Sequence, residues 1–344
     1  MSDTVLITGA AGFVGHHTLS FLLKNTDFNF IATDSFKHKG TSSRLRSVFE
    51  EIPNSIKRVK VITHDLATPI DQVTKNEFGK IDYILNIASE SHVDRSISEP
   101  REFILNNTNL ILTMLELARI SDNLKLFIQM STDEVYGPAA EGHNHMEWET
   151  HLPSNPYSAS KAAQENICYS YWRTYGIPLV ITNTMNIIGE RQDTEKFIPL
   201  IIKKISKNLP IPVHAQKIND FEWKSGSRYY LHARNQADAL KFLIEKSNNI
   251  ITKYEKSDKL MEKFNIVGEK EVTNEEVVNL IGKLMGVKPT INFLDFHSAR
   301  PGHDLRYALN GNKINNLGWS PPVSFEESLK RTVKWYLNNP SWLE

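Results

Sequence analysis

Six apolar runs of five to eight residues punctuate the first half of the chain, at 4–8, 29–34, 59–65, 81–88, 124–130 and 178–183. Each is rich in Val, Ile, Leu or Phe and reads as a buried strand. Between them the apolar spacing changes to that of a helix. Val14, Thr18, Phe21 and Leu22 share one helix face, and helical patterns cover 100–120 and the stretch from Pro156 to Tyr175. Strands alternating with helices imply right-handed crossovers and a doubly wound parallel sheet of the Rossmann type. Beyond residue 190 the alternation weakens. Helices at 196–207, 274–285 and 325–337 mix with short strands at 229–232 and 264–267, which predicts a smaller mixed α/β lobe. The expected division is therefore 1–185 and 186–344, with some later segments returning to the first unit. Residues 217–224, polar apart from Phe221 and Trp223, read as a mobile loop.

Composition narrows the partners. Forty basic and forty acidic residues cancel, so no global field favours nucleic acid or an anionic membrane. No apolar run approaches the roughly 20 residues that span a bilayer. The one cysteine, Cys168, rules out an intramolecular disulfide. The first strand starts within a few residues of Met1, leaving no room for a leader peptide, and a cytoplasmic location is expected.

In such sheets ligands bind beyond the carboxyl ends of the strands, so the residues after each run carry the chemistry. The first run leads into Gly9-Ala10-Ala11-Gly12-Phe13-Val14-Gly15, three glycines at intervals of three between strand and helix. They permit a tight turn, a close approach of backbone to a pyrophosphate, and helix N–H groups aimed at the anion. The same glycines also suit a plain turn. Asp34 ends the second run about 20 residues past the last glycine, where an acid can bind ribose hydroxyls and repel a 2′-phosphate, favouring NAD over NADP. It could equally cap a strand end. Asp65-Leu66, closing the third run, could face an adenine edge.

After the fifth run stands Ser131-Thr132-Asp133-Glu134-Val135-Tyr136-Gly137. Farther on, Tyr157 and Lys161 lie i and i+4 on one helix face. An ammonium beside a phenol favours phenolate, and a tyrosine so tuned can take a proton from a sugar hydroxyl. The connecting loop carries His143, His145 and His151, but no carboxylate or cysteine spacing accompanies them, and no metal is expected.

These motifs together resemble the extended short-chain dehydrogenase/reductase family, and within it the nucleotide-sugar 4,6-dehydratases. The resemblance is carried by Gly9, Gly12 and Gly15, by Ala88-Ser89-Glu90-Ser91-His92-Val93-Asp94-Arg95-Ser96, and by the Ser131 to Gly137 segment. Asn155-Pro156-Tyr157-Ser158-Ala159-Ser160-Lys161, Glu195-Lys196-Phe197-Ile198-Pro199 and Arg300-Pro301-Gly302-His303-Asp304-Leu305-Arg306-Tyr307 complete it. It implies a tightly held NAD contacted by Gly9, Gly12, Phe13, Val14, Gly15, Asp34, Asp65, Leu66, Ala88, Ser89, Tyr157 and Lys161. Tyr157, with Thr132 and Lys161, would deprotonate the sugar 4-hydroxyl during oxidation at C4. Glu134 would remove the C5 proton and a protonated Asp133 would assist loss of the 6-hydroxyl. Two adjacent carboxyls suit this, because repulsion and burial keep one protonated.

The resemblance also places Ser91, His92, Asn186, Lys196, Arg228, Asn265, Arg300 and His303 against a nucleotide-diphosphate sugar, and implies a homodimer. Two segments depart from the family. Asn186-Ile187-Ile188-Gly189-Glu190 stands where Asn-Asn-Tyr-Gly-Pro is usual, and Ser227-Arg228-Tyr229-Tyr230-Leu231-His232 replaces the usual Arg-Asp-Trp pattern. Both lie in the substrate lobe, so sugar and base stay open, dTDP- or UDP-linked, glucose or an N-acetylated sugar. The same residues could serve a 4-epimerase, a 5,6-dehydratase that stops at the alkene, or a non-catalytic NAD-binding regulator.

Overall fold

The computed structural model describes residues 2–251, 260–296 and 304–344. Its centre is a seven-stranded parallel sheet. In chain order the first six strands are β1 (Thr4–Thr8), β2 (Asn29–Asp34), β3 (Val59–Thr63), β4 (Tyr83–Asn86), β5 (Leu126–Thr132) and β6 (Leu179–Thr184). Between them run α1 (Phe13–Asn25), α2 (Ser42–Glu51), α3 (Gln72–Phe78), α4 (Val93–Ser98), α5 (Pro100–Arg119) and α6 (Pro156–Tyr175).

Because side chains alternate across a strand, the sheet feeds two cores. Val5 and Ile7 pack on one face with Leu19 and Leu22 of α1. Leu6 packs on the other with Ile111 and Met114 of α5 and Trp172 of α6. Reversal of the order at β1 and β4, in β6-β5-β4-β1-β2-β3, opens a crevice at the carboxyl ends.

The second half adds β7 (Asn186–Ile188), α7 (Phe197–Ser206), β8 (Ile211–Lys217), β9 (Trp223–Ser225), β10 (Ser227–His232), α8 (Ala233–Glu245) and α9 (Ser247–Ile250). There follow β11 (Glu262–Ile266), β12 (Glu271–Thr273), α10 (Asn274–Met285), β13 (Ile291–Asp295), α11 (Asn312–Asn316) and α12 (Phe325–Asn338). Two three-stranded sheets, β12-β10-β7 and β13-β8-β9, share a core with α7, α10 and α12. The seventh strand of the large sheet, β11, pairs in parallel with β6, Phe264 opposite Thr182, and α8 packs on α1.

Two expectations need correction. The loop foreseen at 217–224 is confined to 218–222, because β8 and β9 pair antiparallel on either side of it, Gln216 opposite Lys224, with Phe221 exposed at the tip. Trp223 stacks on Phe293 of β13 with ring centroids 5.9 Å apart, so its apolar surface is covered by a neighbour distant in sequence. The fifth strand also runs on through Ser131 and Thr132, which brings both hydroxyls to the end of the sheet. Among the described residues no helix is long and apolar enough to cross a membrane.

Candidate active site

The glycine turn is built by close approach. Gly9 has φ of +65°, and a Cβ on Gly15 would lie 2.0 Å from the Gly9 carbonyl oxygen, so neither position accepts a side chain without displacement. Asp34 locks the turn to the second strand. Its carboxylate accepts from the Ala11 N–H at 3.0 Å and the Phe36 N–H at 3.0 Å. Thr8 accepts from the N–H groups of Ile87 and Ala88, both at 3.0 Å, and fixes the segment after β4. These elements enclose a cavity of about 440 Å³. On its wall lie Gly9, Gly12, Phe13, Val14, Gly15, Asp34, Asp65, Leu66, Ala88, Ser89, Ser91, His92, Tyr157, Lys161 and Lys196.

At the end of β5 a 3-10 turn, Asp133–Tyr136, presents the acid pair. Asp133 is buried, and its Oδ1 accepts from the Thr132 hydroxyl at 2.9 Å, while Oδ2 has no hydrogen-bond partner among the described residues. Burial, with the neighbouring Glu134 charge, raises its carboxyl from 3.8 to about 7. Glu134 is also raised by burial, but its Oε2 accepts from Asn155 Nδ2 at 3.1 Å, and the charges of Arg228 and Lys196 oppose the shift. Burial thus raises both carboxyls, Asp133 to about 7, where it can donate a proton near neutrality, while Glu134 keeps the Asn155 amide on one oxygen.

Helix α6 delivers the phenol. Asn155 and Ser158 form a capping box at its start, with Pro156 in the first turn, where its missing N–H costs nothing. The Tyr157 hydroxyl meets that of Thr132. The expectation that Lys161 lowers this phenol is not met by the protein's own groups. Burial and the Glu134 charge push Tyr157 up, and the Lys161 ammonium is spent on the Met130 carbonyl at 2.7 Å and Gln164 Oε1 at 2.8 Å. Burial itself draws Lys161 down to about 8. Lys161 is therefore engaged by the end of β5 and by its own helix rather than by the phenol.

Arg228 donates to the carbonyls of Ser227, Leu305 and Asp304, lies 4.5 Å over the Tyr307 ring, and is felt electrostatically by both acids. Asn186, exposed on β7, and Asn265, fully buried, are not on the cavity wall. The Asn265 amide donates to the His145 and Asn310 carbonyls. Arg300 and His303 lie outside the described residues. The histidine loop also differs from expectation. Glu149 supplies the carboxylate, its Oε2 lying 3.0 Å from His143 Nε2 and 2.6 Å from His145 Nδ1.

The profile of the GDP-mannose 4,6 dehydratase family matches residues 6–332. The chain belongs to that dehydratase family. A dTDP-glucose 4,6-dehydratase of Haemophilus influenzae is 35% identical over 98% of this chain and 98% of its own. The trifunctional UDP-glucose 4,6-dehydratase RHM2 of Arabidopsis thaliana is 32% identical over 98% of this chain, which spans 48% of that longer protein. The crystal structure of DesIV, a dTDP-glucose 4,6-dehydratase from Streptomyces venezuelae with NAD and TYD bound, superposes with a TM-score of 0.83. It shares 29% identity and covers 99% of this chain and 100% of its own.

Several residues that shape this dehydratase-family site carried no motif. Glu165, one turn after Lys161, is buried and joins Ser131, Asn183 (2.7 Å), Lys263 (2.6 Å) and His151 (3.2 Å). These partners hold its carboxyl down at about 2. Arg44, 1% exposed, donates to the carbonyls of Lys39 and Arg191 and pairs with Asp193 at 3.1 Å. Beside it Lys39 meets Glu195 at 2.8 Å. The segments 36–44 and 190–196 are thus strapped together across the mouth of the cavity. The Asn-Pro step before α6 was the one available signal, since it marks an N-cap, and the amide of this one donates to Glu134.

Proposed function

We propose that the protein is an NAD-dependent nucleotide-sugar 4,6-dehydratase, converting an NDP-hexose of the dTDP- or UDP-glucose type to its 4-keto-6-deoxy product. The observation that carries this reading is the buried acid pair, with Asp133 raised to about 7 beside a Glu134 that accepts from Asn155. The residues present fit NAD: the Gly9–Gly15 contact leaves backbone alone at the turn, and Asp34 stands at the end of β2. When bound, NAD would accept the C4 hydride and return it at C6.

The chain's own groups would handle the protons. Tyr157, meeting Thr132 and with Lys161 one helical turn on, takes the proton of the 4-hydroxyl. Glu134 takes the C5 proton, which the adjoining 4-ketone makes acidic. Asp133, protonated, gives its proton to the departing 6-hydroxyl. The acids sit in a largely buried turn, which excludes competing water. Ser91, His92, Asn186, Lys196, Arg228, Asn265, Arg300 and His303 are assigned to the sugar nucleotide, with residues 1–185 and 186–344 as the two lobes. A cytoplasmic homodimer completes the proposal.

Incubation with dTDP- and UDP-hexoses, followed by proton NMR of the product, is the test. A C6 methyl doublet and loss of the C4 proton are expected. A product that keeps its 6-hydroxyl with inverted C4, or that stops at a 5,6-alkene, would replace this reading by an epimerase or a 5,6-dehydratase. Stable NAD binding without turnover of any sugar nucleotide would leave a regulator.

A further inference from the structure

We propose that His143, His145 and Glu149 form a binding site for a divalent transition-metal ion, on the loop between β5 and α6. Among the described residues this is the cluster in which three such side chains converge, with one ligand atom from each within 4.8 Å of the others. The contacts of Glu149 Oε2, 3.0 Å to His143 Nε2 and 2.6 Å to His145 Nδ1, are proton-sharing distances. An ion with bonds of about 2.0–2.1 Å in tetrahedral geometry needs ligands roughly 3.3 Å apart. The two Glu149 contacts have to open by less than about 1 Å to admit one.

The ligands are positioned by groups that do not use the ligand atoms. Glu149 Oε1 accepts from the Met146 N–H at 2.8 Å. The His145 backbone is clamped on both sides, its N–H donating to the Ala308 carbonyl at 2.9 Å and its carbonyl accepting from Asn310 N–H at 2.9 Å. Its ring stacks on Tyr136 at 5.4 Å. Arg306 donates to the carbonyls of Ala140 and His143 and to Asn144 Oδ1. His143 is half exposed, which gives an ion a path in. Two imidazoles and one carboxylate suit zinc, cobalt or nickel rather than calcium or magnesium, and leave a coordination position for water. None of the three lines the cofactor cavity, so the ion's place is structural. It would pin the loop that leads to Asn155, the partner of Glu134.

The test uses the full chain with its cofactor, stripped of metal by a chelator and dialysed at pH 7.5. Co2+ is titrated by visible absorption and Zn2+ by calorimetry. The expected result is one equivalent per chain, ligand-field bands of a four- or five-coordinate site, and a thermal midpoint raised by Zn2+. His143→Ala and Glu149→Gln should each weaken binding about tenfold or more and abolish that rise. His143→Ala removes a half-exposed ring and keeps the backbone contacts, so its circular dichroism should match the parent. Absence of binding at micromolar Zn2+, or equal affinity in the parent and both variants, would overturn the site. Because the readouts are metal binding and thermal stability rather than turnover, this outcome is independent of which sugar nucleotide is consumed.

Discussion

Replacing Asp133 by asparagine tests the acid pair through stability as well as through rate. Asn copies the shape of a protonated carboxyl and cannot ionise. Asp133 is 5% exposed, and its carboxyl moves from 3.8 to about 7 on folding. At 1.36 kcal/mol per unit, that difference amounts to about 4 kcal/mol. The sign follows from proton counts. Below pH ~4 the acid is protonated in both states, and its contribution to stability is fully present. Between pH ~4 and ~7 the unfolded chain releases the proton and the folded chain keeps it, so stability falls as pH rises, until the folded group also ionises. Asp133→Asn escapes this loss. Its melting temperature relative to the parent should rise across that window and level off above it. For a chain this long, about 2 °C per kcal/mol gives a relative gain of roughly 8 °C. Calorimetric scans of both proteins at half-unit pH steps from 4 to 9 measure it. A difference that stays constant across the series would refute the assignment of a raised carboxyl to Asp133. The same variant should slow 6-hydroxyl loss about 10²–10⁴-fold while still reducing bound NAD at 340 nm.

Three further outcomes follow from contacts described above. Gly15→Ala places a methyl 2.0 Å from the Gly9 carbonyl, so the purified protein should carry little NAD, measured by the absorbance of the acid-released cofactor. Glu165→Ala leaves Lys263 and His151 facing a buried gap, and should cost about 3–5 kcal/mol in urea unfolding; a loss under about 1 kcal/mol would show that water replaces the carboxylate. Arg44→Met unties the strap between residues 36–44 and 190–196, and bound NAD should exchange with a fluorescent analogue about tenfold faster or more, without a matching drop in the rate of C4 oxidation. Unchanged exchange would mean that Lys39 and Glu195 hold the mouth by themselves.

The strands of the large sheet were legible because parallel strands buried on both faces must be apolar throughout, as in Val5-Leu6-Ile7 and Leu126-Phe127-Ile128. The small sheets were not. β8 alternates buried Ile211, Val213 and Ala215 with Pro212, His214 and Gln216, and β9 is a three-residue strand whose Trp223 finds its partner on β13. Such pairing is decided by distant chain, not by local pattern. The site divides in the same way. Gly15, Asp133 and Tyr157 sit in motifs whose spacing has a chemical reason. Arg44 looked like one more basic residue in a polar connection, since nothing near it in sequence announces Arg191 or Asp193. Lys161 shows the limit of spacing arguments: i and i+4 placed it on the face of Tyr157, while Met130 and Gln164 took its hydrogen bonds.

The edge strand β11 also bears on how the protein is made. β6 is complete at Thr184, yet the strand that covers its outer edge ends at Ile266. During synthesis the nascent sheet therefore waits, with an unpaired edge of apolar residues, while the whole first part of the other lobe is translated. Asn265, which ties the His145 loop in place, arrives with that same strand. Chains released early should aggregate through β6, and a chaperone that shields this edge should matter more for yield than one that acts on the finished fold.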